Sequence, residues 1–416
     1  MKVLGLRFWR LYGGSATSNL ADGIGRTALP LMAASFTRNP VLISGLVSFA
    51  FLPWLLFALP SGALVDRVDR RVAMALANLV RALSMATLGA LVLTHVANVA
   101  VLYAVAFALG VTETVYDSAV RAILPQVVDN DRLDTANGLL TVEETLGQTF
   151  LGAPLGSLLF AAAAAAPFLI NATGFAVAAM LLLSLRGNYR PARAEAPTSL
   201  RSDIAEGVRW LTGHELLRGL TLVSAATAFT NSMPTGVLVL YVLEVLRLPA
   251  GDFGVLLVAA GFGAVLGGVT TPLLSKRFGR GVMLTVGAVV SAVGMALMGL
   301  TRNGFVAASL FGVSAAGVMV WNVLTMSLRQ SLIPQQLFGR VQGAYRTLVW
   351  GAIPAGSLVG GALAARFGLR AVFVVAGCVQ LGLAVVLGLL LRGRAEELTD
   401  VADSPRDEMA VAQLAD

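Results

Sequence analysis

Long apolar segments separated by short polar breaks run through most of the chain. Each is close to the length of about 20 residues that an α-helix needs to cross about 30 Å of hydrocarbon. The twelve apolar segments are residues 11–36, 41–65, 72–94, 97–120, 135–162, 164–185, 216–246, 251–275, 282–301, 304–328, 339–365 and 369–391. The pattern predicts an all-α integral membrane protein of twelve transmembrane helices, numbered below as spans 1 to 12.

The longest polar break divides the spans into six and six. Within it, Ile204, Val208 and Leu211 recur at helical spacing, which predicts an interfacial helix on the inner leaflet. The acidic, polar tail is predicted to be disordered. The predicted parts are an N-terminal six-helix bundle at 1–186, a cytoplasmic linker with the interfacial helix at 187–215, a C-terminal six-helix bundle at 216–391 and the tail at 392–416.

Lysine and arginine are distributed very unevenly between the two sets of loops. If both termini are cytoplasmic, 22 of the 30 basic residues lie on the cytoplasmic side and five on the other. The positive-inside rule therefore predicts a multi-pass protein of the inner (cytoplasmic) membrane with both termini in the cytoplasm. The basic, then apolar N-terminus is typical of a signal peptide, but Asp22 and Arg26 interrupt its apolar part, so we expect a retained first span.

Composition supports a membrane protein and excludes several other classes. Hydrophobic residues make up 57% of the chain and charged residues 13%, whereas a soluble domain carries about 25% charge. The net charge of +7 is scattered in short clusters, so no nucleic-acid partner is expected. Two histidines and one cysteine provide no metal or enzyme site, and neither lysine follows a Gly-rich phosphate loop, so no cofactor and no ATP hydrolysis are expected.

The two halves carry an internal repeat. The segment after span 2 reads GALVDRVDRR, and the segment after span 8 reads PLLSKRFGR, so that Arg277 corresponds to Arg67, 210 positions earlier. The segments after spans 4 and 10 also match, each with a proline followed by a glycine that opens the next helix. Parallel repeats of this kind predict a substrate path between two bundles that rock against each other.

These segments resemble the major facilitator superfamily, and the match extends over essentially all twelve spans. GALVDRVDRR is similar to that family's signature between helices 2 and 3, Gly-x-x-x-Asp-Arg-x-Gly-Arg-Arg, with Asp69 in place of the second glycine. The resemblance implies that this loop holds the inner side shut, with Gly62 permitting close backbone approach and Asp66 capping a helix or pairing with an arginine. The residues of this loop site are Gly62, Asp66, Arg67, Arg70 and Arg71.

Span 5 carries a second resemblance. GAPLGS, with Gly152, Pro154 and Gly156, is similar to the Gly-Pro-x-x-Gly-Gly signature of the family's antiporters, although the proline is shifted by one place. DRLDTANGLL and PAGSLVGGALAARFGLRAVF are similar to the branch of macrolide, other drug and enterobactin exporters. The resemblance implies a monomeric secondary transporter that exchanges amphipathic small molecules for protons across the bilayer. The alternatives are a siderophore or other metabolite exporter and a nutrient importer.

Span 1 has one polar face. Ser15, Ser18, Asn19, Asp22 and Arg26 each lie three or four positions from another member of the set, which places them on one side of a helix. Ionisable groups inside a membrane cost at least about 2.5–3.5 kcal/mol each near the centre and face protein or water. Asp22 therefore either carries protons or forms an internal pair with Arg26.

Span 4 presents Glu113, Asp117 and Arg121 at i, i+4 and i+8. Arg121 can partner Asp117, which leaves Glu113 as the less paired acid, suited to reversible protonation. In the peripheral span 3, Arg81 is expected to be a structural partner for an acid. Arg346 in span 11 is a candidate partner for Asp66 across the halves.

Span 5 contains two adjacent acids about 100° apart around the helix. Glu144 lies beside a stripe of small residues suited to close helix packing, and Glu143 lies opposite. We expect Glu144 to face the cavity and Glu143 to snorkel or to pair with an arginine. The predicted proton-carrying residues are Asp22, Glu113, Asp117 and Glu144.

The second half is neutral where the first is charged. A shift of 210 positions moves Asp22 to Ser232. We therefore expect the N-terminal half to handle protons and the C-terminal half to supply hydrogen bonds and aromatic surface, unless its polar residues make only ordinary helix–helix hydrogen bonds. The predicted substrate-cavity residues are Asn19, Arg26, Asn231, Tyr241, Trp321 and Asn322.

Overall fold

A computed structural model describes residues 4–65, 67–129, 132–187, 189–190 and 200–392. Within these residues the secondary structure is helical throughout, without a strand. The helices are α1 Leu6–Phe36, α2 Pro40–Val65, α3 Arg70–Leu93, α4 Val99–Val127, α5 Leu133–Thr145, α6 Ala153–Ala162, α7 Ala166–Leu183, α8 Leu200–Gly213, α9 Glu215–Leu240, α10 Phe253–Phe278, α11 Arg280–Leu300, α12 Gly304–Leu332, α13 Gln335–Phe367 and α14 Leu369–Leu391.

Two of the predicted spans contain a wider helical turn. A π-helical segment, Leu146–Gly152, joins α5 to α6, so these three pieces form one crossing. A second π-helical segment, Tyr241–Val245, extends α9. With α8 as a short extra helix, the remaining elements make twelve membrane crossings, as predicted.

Ten helices of the described chain are individually long and apolar enough to cross a membrane. The exceptions are α1, which carries the polar face around Asp22, and the α5–α6 crossing, which contains Glu143 and Glu144 and is divided by the π-helical turn. Both belong to the first half. The two less apolar crossings therefore carry part of the polar chemistry of the first half, and α3 and α4 carry the rest.

Matching helix starts confirm the repeat between the halves. α3 begins at Arg70 and α11 at Arg280, an offset of 210. The side chain of Asn98 caps α4 by accepting from the Val101 N–H at 3.1 Å, and Asn303 caps α12 through Val306 at the same distance. An asparagine oxygen at this position satisfies a backbone donor that the helix itself leaves unpaired.

The two halves touch along α2 and α13 and near the connection between α1 and α2, called here the α1–α2 end. Ser157 Oγ donates to the Gly251 carbonyl at 2.8 Å, and Arg38 lies 3.8 Å from Glu244. Farther into the membrane, Ser48 and Ser357 are 2.6 Å apart. The opposite side of the molecule, called here the α2–α3 end, holds the starts of α3 and α11.

The short helix α8 packs against the second half. Leu211 is buried in a cluster with Leu217 and Val341, and Glu206 forms an ion pair with Arg340 of α13. The predicted helix is therefore present, and its Leu211 side covers protein. The side chain of Ile204 and the tail beyond Arg392 lie outside the described residues, and the proposed domain boundaries stay predictions.

Candidate functional site

Asp22 is held by a cation from another helix. Arg81 of α3 is only 1% exposed, and its Nη1 lies 3.2 Å from Asp22 Oδ2. Its Nε also donates to Thr112 Oγ1 at 3.1 Å. The proposed internal pair between Asp22 and Arg26 is therefore wrong, because α1 faces α3 at this level. Arg81 is the structural partner that was predicted.

Arg26 pairs with Glu113 across α1 and α4. Arg26 Nη2 lies 2.7 Å from Glu113 Oε1, and their side chains are 57% and 28% exposed. The expectation that Glu113 is the less paired acid is wrong, because the closest cation comes from a neighbouring helix. Asp117 pairs with Arg121 more loosely, at 4.0 Å.

Glu143 is a buried acid that forms no ion pair with the described residues. It is 4% exposed, and its Oε1 accepts from Asn19 Nδ2 at 3.0 Å. Its Oε2 has no hydrogen-bond partner among the described residues. Gln148 donates to Asn19 Oδ1 at 2.9 Å. The expectation that Glu143 snorkels or pairs with an arginine is wrong, and sequence reasoning missed Gln148 altogether.

A close crossing of α1 over the α5–α6 helix explains why Asn19 reaches Glu143. A Cβ on Gly152 would lie 2.7 Å from the Gly23 Cα, and one on Gly156 would lie 3.0 Å from the Ile24 Cα. Side chains at these glycines would push the helices apart. Pro154 lies just after the π-helical segment, at the point where the helical hydrogen-bond pattern changes. The stripe of small residues that the sequence showed was the available signal for this contact.

Glu144 is exposed and lines a polar cavity of about 300 Å³ within the first half. Asn19, Asp117 and Arg121 line the same cavity, together with Asn137. Three of the predicted site residues, Asn19, Asp117 and Glu144, therefore meet here. Their location is between α1, α4 and α5, toward the α2–α3 end.

A second cavity, the central cavity, lies between the halves and has a volume of about 330 Å³. Its ionisable residues are Asp22, Arg26 and Glu113. The rest of the wall is largely apolar and comes from both halves, including Leu46, Phe51, Trp54, Leu238, Phe253 and Leu257. The arrangement suits an apolar body with one polar or charged group.

Arg346 extends this region toward the α2–α3 end. Its guanidinium lies 4.4 Å from the ring centre of Trp350 and 5.7 Å from that of Trp54, which belongs to the other half. A smaller cavity of about 110 Å³ is lined by these three residues and by Asp117 and Arg121. The proposed partner of Arg346, Asp66, lies outside the described residues.

The predicted cavity residues of the second half do not line the central cavity. Tyr241 is fully buried, with its ring centre 4.3 Å from that of Phe373. Trp321 is buried in an apolar cluster, and Asn231 accepts from Gln380 Nε2 at 2.8 Å. Tyr241, Trp321 and Asn231 therefore serve packing and helix–helix hydrogen bonding, because these faces of α9 and α12 turn into their own bundle. Asn322 is exposed.

The loop arginines hold helix ends within the first half. Arg70 Nη1 donates to the Ala122 carbonyl at 2.9 Å, and Arg71 Nη1 donates to the Leu185 carbonyl at 2.7 Å. Asp69 caps α3 by accepting from the Arg71 N–H at 2.9 Å. Arg67 is exposed, and Asp66 lies outside the described residues.

Gly62 has open space around it. Among the described residues, a Cβ at this position would meet no atom within 4 Å. The close backbone approach expected at Gly62 is therefore not seen among these residues in this conformation, and its role in the loop stays a prediction.

The family model described as transmembrane secretion effector matches residues 7–415 of the chain. The multidrug efflux pump Tap of Mycolicibacterium fortuitum is 28% identical over 94% of this chain and 96% of its own. Macrolide efflux protein A of Streptococcus pyogenes is 21% identical over 92% of this chain and 96% of its own. A mutant of the nucleoside transporter NupG has the same fold, with a TM-score of 0.79 at 12% identity over 92% of this chain and 99% of NupG.

Proposed function

Because the chain belongs to the transmembrane secretion effector family, within the major facilitator superfamily, it is a multi-pass membrane transporter of small molecules, and we propose that it exports amphipathic compounds such as drugs in exchange for protons. The central cavity is the observation that carries this proposal. Its wall is mainly apolar and contains one ion pair, Arg26–Glu113, at the junction of the two halves. The names of the efflux relatives support the same substrate class.

The conformation supports loading from the cytoplasm. The halves are joined at the α1–α2 end by the Ser157–Gly251 hydrogen bond and the Arg38–Glu244 pair, while Glu144 and Arg121 are exposed toward the α2–α3 end. In the predicted orientation the α2–α3 end is cytoplasmic. An exporter in this state takes up its substrate from inside the cell and releases it after the halves rock.

Proton coupling rests on the acids of the first half. An isolated charge inside a membrane bundle costs at least about 2.5–3.5 kcal/mol, so Glu143, which forms no ion pair with the described residues, is a candidate proton carrier. Protonation of Glu113 would release Arg26 and loosen α1 from α4. Both changes alter the packing of α1 against its neighbours, and α1 lines the central cavity between the two halves. Inward movement of one proton at 100 mV supplies about 2.3 kcal/mol for efflux.

Transport by purified protein in proteoliposomes tests the proposal. With an imposed pH gradient, the protein should accumulate a lipophilic fluorescent cation or a macrolide against its gradient, and a protonophore should stop this. Glu113→Gln and Glu143→Gln should each abolish uphill transport and retain substrate binding, because glutamine keeps the shape and loses the exchangeable proton. The variant Glu215→Gln, which removes an exposed carboxylate in the first turn of α9, is the matched control and should transport normally.

Two results would contradict the proposal. Uphill transport without any proton-motive force would exclude proton exchange, and normal pumping by Glu113→Gln, Glu143→Gln and the predicted Glu144→Gln together would exclude these acids as the coupling groups. Failure to move any compound of the tested panel in either direction would argue against amphipathic substrates.

A further inference from the structure

A cavity of about 1060 Å³ lies in the second half at the α2–α3 end, away from the central cavity. We call it the basic cavity. It is an open groove bordered by the end of α10, the start of α11, α12 and the end of α14, and Lys276, Arg280 and Arg392 line it. In the described part of the chain, none of the residues that line it is an aspartate or a glutamate. Three cations without a counter-charge indicate an anionic ligand.

Comparison of the two halves shows that the start of α11, beside the basic cavity, lacks an acid that the start of α3 has. In the first half, the carboxylate of Asp69 caps α3 by accepting from the Arg71 N–H, and Arg70 donates to the Ala122 carbonyl. At the corresponding place in the second half, Gly279 replaces the aspartate, and α11 has no side-chain cap. The start of α11 therefore offers unpaired backbone donors and a positive helix end, without the acid that satisfies its counterpart.

Arg280 corresponds to Arg70 in the repeat, but, within the described chain, its Nη1 makes no hydrogen bond like the one that Arg70 Nη1 donates to the Ala122 carbonyl. Its Nη1 is buried and has no hydrogen-bond partner among the described residues, although the side chain lines the basic cavity. A buried charged donor without a partner is costly. A phosphate group at this point would accept from Arg280 and from the first turn of α11, and would thus take the role that Asp69 has in the first half.

The lip of the basic cavity is apolar and faces outward. Phe278, Val282 and Val286 line it and are each more than two-fifths exposed. In a membrane protein, such side chains at the end of the spans contact acyl chains, and the cations beside them lie at the depth of the lipid phosphates. We propose that the basic cavity binds a phosphate group carried by an anionic phospholipid of the cytoplasmic leaflet.

Native mass spectrometry of the full-length protein, titrated with phosphatidylglycerol, phosphatidylcholine or inorganic phosphate, tests this site. Phosphatidylglycerol should bind in preference to phosphatidylcholine, and Arg280→Gln and Lys276→Gln should each weaken it about fivefold, the loss expected for one cation near a lipid phosphate. Arg277→Gln is the matched control, because it removes the same charge from a neighbouring side chain that lies against Phe278 and does not line the cavity. It should bind as the unmodified protein does.

The outcomes separate the sources of the phosphate. Competition by inorganic phosphate, at a similar affinity and with the same loss in both variants, would keep the phosphate site and assign it to a soluble ligand in place of a lipid. Equal effects of Arg277→Gln and Arg280→Gln, or no effect of either cavity variant, would overturn the proposal. If Arg280→Gln does not fold, Lys276→Gln and Arg392→Gln carry the test.

Discussion

Arg26 and Arg81 each hold a carboxylate of a neighbouring helix, and these two ion pairs differ in their surroundings. Arg81 is 1% exposed and also contacts Thr112, whereas Arg26 lies in the central cavity with its side chain 57% exposed. A buried pair that is broken on one side leaves a costly unpaired charge, while an exposed pair contributes little to stability. We therefore expect the Asp22–Arg81 pair to be structural and the Arg26–Glu113 pair to break during transport.

We predict that Arg81→Gln lowers the free energy of unfolding by about 3–5 kcal/mol, because Asp22 loses its buried partner. Denaturant unfolding of the purified protein in detergent measures this. The exposed Arg67 provides the control, since Arg67→Gln should change stability by no more than about 0.5 kcal/mol. The double variant Asp22→Asn with Arg81→Gln should recover part of the loss, and equal stability of the two single arginine variants would contradict this assignment.

The spacing of charges along a single helix did not predict which acid pairs with which cation. The positions of Asp22, Arg26 and Glu113 were selected from the sequence because charges inside spans are costly. Their partners come from other helices, and the rotation of each helix is set by packing along its whole length. Glu143 illustrates the same limit, since its burial depends on how α1 crosses α5.

At the scale of helices, the crossing of α1 over the α5–α6 helix organises the first half. Gly152 and Gly156 allow the two backbones to approach, and the π-helical turn lies at the same level. The resemblance of this segment to an antiporter signature pointed to these glycines. The π-helical turn itself was not predicted, because hydropathy does not distinguish it from an α-helix.

We predict different effects of a glycine-to-alanine substitution at two positions of the α5–α6 helix, one inside the contact with α1 and one outside it. Gly156→Ala should destabilise the protein by about 1–3 kcal/mol, because the added methyl overpacks the contact with Ile24. Gly138→Ala should be neutral or stabilising by up to about 1 kcal/mol, since a Cβ there meets nothing within 4 Å. Thermal unfolding in detergent compares the two variants, and an unchanged stability of Gly156→Ala would show that the α1 crossing is loosely packed.

At the scale of the whole molecule, two repeated halves rest against each other near the α1–α2 end. Alternating access requires that contacts such as Ser157–Gly251 open when the halves rock. The repeat explains why the halves share their architecture, and the charge difference between them explains why the polar chemistry is concentrated in the first. At the basic cavity the charge difference leaves the second half with cations alone, because Gly279 stands where the first half has Asp69.

A disulfide across the α1–α2 end should lock the transporter. The Cβ of Ala161 lies 3.8 Å from the position of a Cβ on Gly251, which equals the mean separation of about 3.8 Å in disulfides. In a Cys378→Ala background, Ala161→Cys with Gly251→Cys should cross-link on oxidation and lose transport in proteoliposomes. Reduction should restore it, the single-cysteine variants should be unaffected, and full transport by the cross-linked protein would contradict the rocking model.

The sequence by itself determined the number of crossings, the twofold repeat and the family resemblance. It did so because a bilayer imposes a length and a polarity on every crossing, and these are properties of local sequence. Only the tertiary structure decided that Asp22 meets Arg81, that Glu143 is buried beside Asn19, and that Tyr241 and Trp321 pack away from the cavity. The physical reason is that a side chain's partners depend on helix rotation and crossing, which are set by contacts between residues far apart in the chain.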